Sequence, residues 1–354
     1  ILLNGKQIKL KGISMHAEPI GEEGFAFSKQ HFKKLLNIAQ DLNVNFVRAS
    51  HYPYTRYISQ LCDELGILLW EEIPVYWNIN WSNAETKNDA TAMLTQMIHR
   101  DWNRASVIIW SIGNETPFSD ERMDFMIDLK QTAYGLDSSR LISAALLSGS
   151  VEQFRSLTYF LANEGLKHNF VSNNEKGIFK QIVAQLEPLY GSMDTFKINI
   201  KDPLAEHLDV IAYNEYFGWY YTSFIVDQLG VEESTLRKLM FKLMPSIKIE
   251  SQYKKPIHLS EFGAGAKRNY KADGGIWSEE YQEDVYRHQL EMIQGNDQIQ
   301  GLSPWILKDF RSMMRPLADV QDFYNRKGLV DEDGKKKKAF NVLADFYENE
   351  WSSD

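Results

Sequence analysis

The chain has one cysteine, Cys62, among 354 residues, which excludes an intrachain disulfide and a cysteine-built metal site. Cys62 falls in a helical pattern and reads as a small buried hydrophobe. No apolar run is long enough to span a bilayer, and no secretory leader is recognisable, so no membrane partner is expected. The first residue is Ile1 rather than Met, and the chain therefore reads as an excised or processed segment. Basic residues are not in excess: 39 Lys and Arg stand against 48 Asp and Glu, a net charge of −9 that argues against a nucleic-acid partner. The one lysine run, Lys335 to Lys338, reads as a solvated turn before the last helix. A glycine-rich phosphate loop and a G-x-S-x-G nucleophile elbow are both missing. His16, His51, Glu72 and His258 are scattered without metal-ligand spacing, so neither a metal nor a cofactor is expected. His258, in mid-strand, reads as an internal side chain. Internal repeats and low-complexity segments are also lacking.

What is present is an alternation of short apolar runs with helical patterns. The first predicted strand ends near His16; the next cover Phe46–His51, Ile67–Ile73 and the run Val107-Ile108-Ile109-Trp110 leading to Glu115. They continue with Leu141–Leu147, Leu208–Asn214, Pro256–Glu261 and a stretch near Leu302–Leu307. Helical periodicity fits Ser28–Leu42, Tyr57–Leu65, Glu85–Arg104, Asp120–Tyr134, Glu232–Met244, Glu279–Gly295 and Lys338–Glu350. Eight strands alternating with helices predict an α/β fold, a (β/α)8 TIM barrel over residues 10–354. Residues 148–207 break the rhythm. They read as a long βα insertion with one helix near Lys180–Leu189 and a loose polar tail, either a pocket wall or surface decoration.

Polar residues gather at the strand ends, where a barrel builds its active site: His16, Arg48 with His51, Glu72, Asn114 with Glu115, Asn214 with Tyr216, Glu261 and Trp305. Two carboxylates facing one pocket suit acetal cleavage, one protonated to donate to the leaving oxygen and one ionised to attack or to activate water. Their mutual repulsion separates their pKa values. Glu115 carries the better case as acid/base and Glu261 as nucleophile, with Tyr216 placed to orient Glu261. Spacing alone leaves retention and inversion both open. The 17 Tyr and 9 Trp are compatible with gripping sugar rings, though aromatics also fill large cores.

The stretches LNGKQIKLKGISMH, NFVRASHYPY, LCDELGILLWEEIP, RDWNRASVIIWSIGNE, YNEYFGWYY, PIHLSEFGAG and IWSEEYQ resemble the catalytic barrel of glycoside hydrolase family 2, the family of β-galactosidases and β-glucuronidases. The resemblance implies a retaining exo-β-glycosidase with Glu115 as acid/base and Glu261 as nucleophile. It further implies that His16, His51, Asn114 and Tyr216 contact the sugar or the nucleophile, and that Trp305 forms a pocket wall. Members usually carry β-sandwich domains before the barrel, so residues 1–9 are expected to be a remnant of such a domain, whose other parts are missing partners within the same polypeptide. Asn325 and Lys327 resemble the Asn-x-Lys pair that holds the C6 carboxylate in β-glucuronidases; the alternative is that they only shape a turn. β-D-Glucuronidase is the preferred reading and β-D-galactosidase the alternative, with an inactive carbohydrate-binding barrel as the non-enzymatic rival. The substrate partner is a β-glycoside. Compartment is not fixed by the sequence, and a homo-oligomer is left open.

Overall fold

A computed structural model describes residues 1–147, 150–191 and 193–351 of the chain. Residues 148, 149 and 192 of the expected insertion, and 352–354 at the end of the expected barrel domain, lie outside the described residues. Eight strands form a closed parallel barrel in chain order: β1 Leu10–Met15, β2 Phe46–Ala49, β3 Leu68–Glu72, β4 Val107–Asn114, β5 Leu141–Leu146, β6 Ile211–Asn214, β7 Ile257–Glu261 and β8 Ile299–Leu302. Register is direct, for example Ser14 beside Arg48 and Arg48 beside Trp70. The strands alternate with helices α1 Lys29–Gln40, α2 Tyr57–Leu65, α3 Ala84–Asp101, α4 Asp120–Leu136, α5 Val151–Gly165, α6 Asn173–Tyr190, α7 Tyr220–Leu229, α8 Glu233–Leu243, α9 Glu279–Gln294 and α10 Lys338–Asn349. Ser28, Asn83, Ser119 and Ser278 cap α1, α3, α4 and α9 by accepting a backbone N–H, which is why those helices start where they do.

The interior is filled in layers. Inside the barrel Leu10, Phe46, Trp70, Ile109, Ala145 and Ala212 form an apolar plug, against which Ile1 and Ile8 pack from either side of the antiparallel pair Leu2–Leu3 and Lys6–Gln7. His258 lies inside this region as expected, T-shaped against Phe46, with Nε2 2.7 Å from the Ser303 hydroxyl. Gly301 makes room for it, since a Cβ there would collide with His258 Nδ1. Above the plug the layer turns polar, with Ser14, Arg48, Glu72, Ser111, Ser143, Asn214, Ser260 and Ser303 all buried. Small hydroxyls fit between strands and satisfy one another or the backbone, as Ser14 Oγ donates to Ser303 O at 3.0 Å.

Three expectations are revised. The eighth strand begins earlier than predicted, at Ile299; its regular ladder ends at Leu302, but backbone bonds to the neighbouring strands continue beyond it, Ser303 N donating to Leu259 O at 2.8 Å and Leu307 N to Ser14 O at 2.9 Å. The 150–207 region holds more order than one helix: α5 and α6 each begin with a capping box, at Ser150 with Gln153 and at Ser172 with Glu175. The expected loose tail contains the strand Lys197–Ile200, paired in parallel with Lys248–Ser251. Finally, the lysine run is not wholly solvated. Lys337 is 1% exposed, and its Nζ donates to Asp309 Oδ1 at 2.7 Å and to the carbonyl of Ala266 at 2.6 Å.

Candidate active site

Glu115 follows the last residue of β4 with φ +50°, a left-handed conformation uncommon for a side-chain-bearing residue and typical of sites where backbone strain serves a side chain's aim. Its Oε1 accepts from Asn214 Nδ2 at 3.0 Å and its Oε2 from the Trp77 indole N–H at 2.9 Å. The orientation of Asn214 is itself fixed, because its Oδ1 accepts the Ser260 hydroxyl at 2.6 Å. Glu115 thus receives two donors, and both are neutral.

Glu261, the last residue of β7, has a different set. Arg48 Nη1 donates to its Oε1 at 3.0 Å, His51 Nε2 lies 3.7 Å from the same oxygen, and the Tyr216 hydroxyl donates to Oε2 at 2.8 Å. Burial raises the Glu261 carboxyl above its ordinary pKa, and the Glu115 charge raises it further; Arg48, His51 and Tyr216 oppose both. The two carboxyls therefore feel each other electrostatically. Burial holds the Tyr216 phenol well above its ordinary value, and the Glu261 charge adds to it, so it remains a donor.

Arg48 is the hub beneath them. It is fully buried in mid-strand and also donates to both oxygens of Glu72 and to Asn114 Oδ1 at 2.7 Å. Glu72 additionally accepts from the Trp70 indole at 2.9 Å and the Ser111 hydroxyl at 3.0 Å. Burial pushes the Glu72 carboxyl up, but Arg48 and His51 outweigh it and leave it below its ordinary value. His51 Nδ1 sits 2.7 Å from Glu72 Oε1, and its ring stacks between Tyr76 and Trp305, each 4.9 Å away. His16 lies edge-on to Trp305 at 5.3 Å, and burial, then the His51 and Arg48 charges, keep its imidazole well below its ordinary pKa.

These groups open onto a cavity of about 840 Å³. Of the nine residues singled out from the sequence, His16, His51, Glu115, Tyr216, Glu261, Trp305, Asn325 and Lys327 line it. Asn114 does not: its side chain stands behind the wall against Arg48, and its Nδ2 is a buried donor with no partner among the described residues.

The segment carrying Asn325 and Lys327 is pinned from below. Strands Phe310–Arg311 and Tyr324–Asn325 pair antiparallel, with Phe310 opposite Asn325. Asp309, fully buried, binds Lys337, Arg326 Nη1 at 3.2 Å and the Gly328 N–H at 2.8 Å. Gly328 is required there, because a Cβ would collide with the Asp309 backbone nitrogen. Lys327 is 4% exposed, and its Nζ donates to the Tyr220 hydroxyl at 2.9 Å. No carboxylate among the described residues pairs with it.

The sequence puts Arg48, Glu72 and Asn214 at strand ends without marking them as site residues. An arginine inside the apolar run FVRAS is the signal that had most to offer, since an unpaired buried guanidinium is too costly to be incidental. Tyr76, Trp77, Tyr220 and Arg315 also line the cavity and come from loops or a loop–helix junction with no periodic signature.

The comparisons agree with this architecture. The description "Glycosyl hydrolases family 2, TIM barrel domain" matches residues 1–349. A Formosa agariphila protein provisionally named as a β-glucuronidase is 28% identical over 98% of this chain and 38% of its own length. A β-galactosidase from Thermoanaerobacterium thermosulfurigenes is 36% identical over 39% of this chain and 19% of its own. Among solved structures, a family 2 β-galacturonidase from Eisenbergiella tayi, bound to galacturonate, superposes with a TM-score of 0.72 at 24% identity, over 98% of this chain and 52% of that one. The chain thus spans half or less of the length of these curated relatives. With a match running nearly end to end and a closed eight-stranded barrel beneath it, this chain belongs to the TIM-barrel domain of glycosyl hydrolases family 2.

Proposed function

We propose that the chain is the catalytic barrel of a retaining exo-β-glycosidase acting on terminal β-linked hexuronides, with β-D-glucuronides the preferred class. The single observation that carries the uronide reading is Lys327, a buried cation beside Asn325 in the cavity wall, paired with no carboxylate among the described residues. A buried ammonium without a counter-ion is destabilising, and a substrate carboxylate would supply the missing charge with strong, charge-assisted hydrogen bonds.

The donors around the carboxyls support the division of labour. Glu261 has a guanidinium and a phenol, which favour its anion; Glu115 has only two neutral donors. Arg48, His51 and Tyr216 stabilise the Glu261 anion against the burial and the Glu115 charge that together raise its pKa. Glu261 attacks the anomeric carbon as Glu115 gives its proton to the departing oxygen. Glu115, now ionised, then takes a proton from the water that releases the sugar from Glu261. His51, held by donating from Nδ1 to Glu72, and Trp305 shape the wall against which the ring lies.

A neutral-sugar reading draws on the β-galactosidase relative, yet it leaves Lys327 without an anion. The test is hydrolysis by the full-length protein of p-nitrophenyl β-D-glucuronide against p-nitrophenyl β-D-galactoside, with Glu261→Gln as the inactive control. Preference for the glucuronide, abolished in the variant, is expected. Preference for the galactoside overturns the uronide reading, and undiminished turnover by Glu261→Gln overturns the nucleophile.

A further inference from the structure

Lys327 does not stand alone. The Tyr220 hydroxyl that accepts its ammonium also accepts Arg315 Nη2, at 2.8 Å. Two cations therefore converge on one neutral oxygen in the wall of the cavity, and among the described residues neither has a carboxylate partner. The phenol records the local field. Burial raises it, but the Lys327 and Arg315 charges together leave it below its ordinary pKa.

Arg315 comes from the turn between the strands Phe310–Arg311 and Tyr324–Asn325, the same hairpin that presents Asn325. Its backbone is fixed at both ends, its N–H donating to Ser312 O at 3.0 Å and its carbonyl accepting from Phe323 N at 2.9 Å. Arg315, Lys327, Asn325 and Tyr220 also line a second cavity of about 220 Å³ on the other side of this cluster. These shared residues place both cations where the two cavities adjoin.

We propose that Arg315 is a second reader of the substrate's acid group: the carboxylate of a hexuronide bridges Arg315 and Lys327 on the cavity side of the Tyr220 hydroxyl that both cations now contact. This deepens the uronide reading and rests on it. A guanidinium offers two parallel N–H groups in a plane, matching the two oxygens of a carboxylate, whereas an ammonium acts as a point charge. The pair thereby fixes the orientation of the acid as well as its charge. A neutral C6 hydroxymethyl group gains little from either residue.

The competing explanation is that Arg315 only props up Tyr220. The experiment separates them by comparing Arg315→Ala, Arg315→Lys, Tyr220→Phe and Lys327→Ala in the full-length protein, reading the ratio of kcat/KM for the aryl β-D-glucuronide to that for the galactoside. Losing one charge-assisted hydrogen bond predicts that Arg315→Ala lowers this ratio about ten- to a hundred-fold, chiefly through the glucuronide KM. Arg315→Lys recovers part of the loss, and Tyr220→Phe, which keeps both cations, stays near the parent ratio. If Tyr220→Phe reproduces Arg315→Ala, or if Arg315→Ala leaves the ratio unchanged while Lys327→Ala collapses it, Arg315 is no reader and the uronide reading survives. If neither Arg315→Ala nor Lys327→Ala moves the ratio, both readings fall.

Discussion

Replacing Tyr216 by Phe removes one hydroxyl from the site and little else, because the ring is buried and keeps its packing. That hydroxyl donates to Glu261 Oε2 at 2.8 Å and, with its own pKa held high by burial, donates across the working pH range. The bond favours the ionised form of Glu261, so its loss favours the protonated form and raises the Glu261 pKa. A hydrogen bond to a charged group contributes about 1.5–3 kcal/mol, and one pKa unit corresponds to about 1.4 kcal/mol. The shift expected is therefore about one to two units upward, on a carboxyl already raised by burial and by Glu115. With Glu261 as the proposed nucleophile, only its anion attacks, and activity should fail on the acid side at a pH higher by about that amount. The assay is the pH dependence of kcat/KM on an aryl β-glucuronide for parent and Tyr216→Phe, with circular dichroism to confirm that both stay folded. An acidic limb that stays in place, or moves to lower pH, refutes the assignment of Glu261 as the ionised partner held by Tyr216.

Two other outcomes follow from the same geometry. Glu115→Ala should slow alkyl glycosides, whose leaving oxygens need a proton, far more than nitrophenyl glycosides, which leave as stable anions; equal losses on the two would count against Glu115 as the acid. Asp309→Asn strips the carboxylate from the fully buried Lys337 side chain and from Arg326, and breaking a buried pair in this way costs about 3–5 kcal/mol. Urea unfolding of the full-length protein should show a correspondingly lower midpoint, and a loss below about 1 kcal/mol would mean that the cluster is wetter than its burial implies.

The barrel strands were legible because they are short, mostly apolar runs that alternate with helical patterns, and a strand such as VIIWSIGN can hardly be read otherwise. The catalytic candidates were legible for a related reason: Glu115 and Glu261 end such runs where a core has no use for a carboxylate. Helices α5 and α6 left signals at Ser150 with Gln153 and Ser172 with Glu175, which the irregular spacing of the region obscured. Helix α7 left little, since Trp219 precedes it and offers no capping bond. Arg315 and Trp77 owe their places to tertiary contacts with Tyr220 and Glu115, far away in sequence, and no local pattern announces such contacts. Lys337 shows the same limit in reverse. A lysine run looks solvated until Asp309, 28 positions earlier, is seen beneath it.

The hairpin after β8 has a consequence for how specificity can change. The groups proposed to break the glycosidic bond come from the ends of β4 and β7, which the barrel cannot alter without losing its core. The groups proposed to read the acid, Arg315, Asn325 and Lys327, all belong to one continuous stretch gathered on itself around Asp309 and tied to the barrel where Lys337 donates to Ala266 O. On these proposed assignments, chemistry and sugar choice sit on separately exchangeable parts. A graft spanning 309 to 337 would carry its own anchor, since Lys337 and Arg326 would travel with Asp309, whereas a swap of 325–327 alone would leave the new residues on a loop shaped for the old ones. On the proposed roles, replacing that one cassette would change which sugar is read while the carboxylates that act on it stay in place.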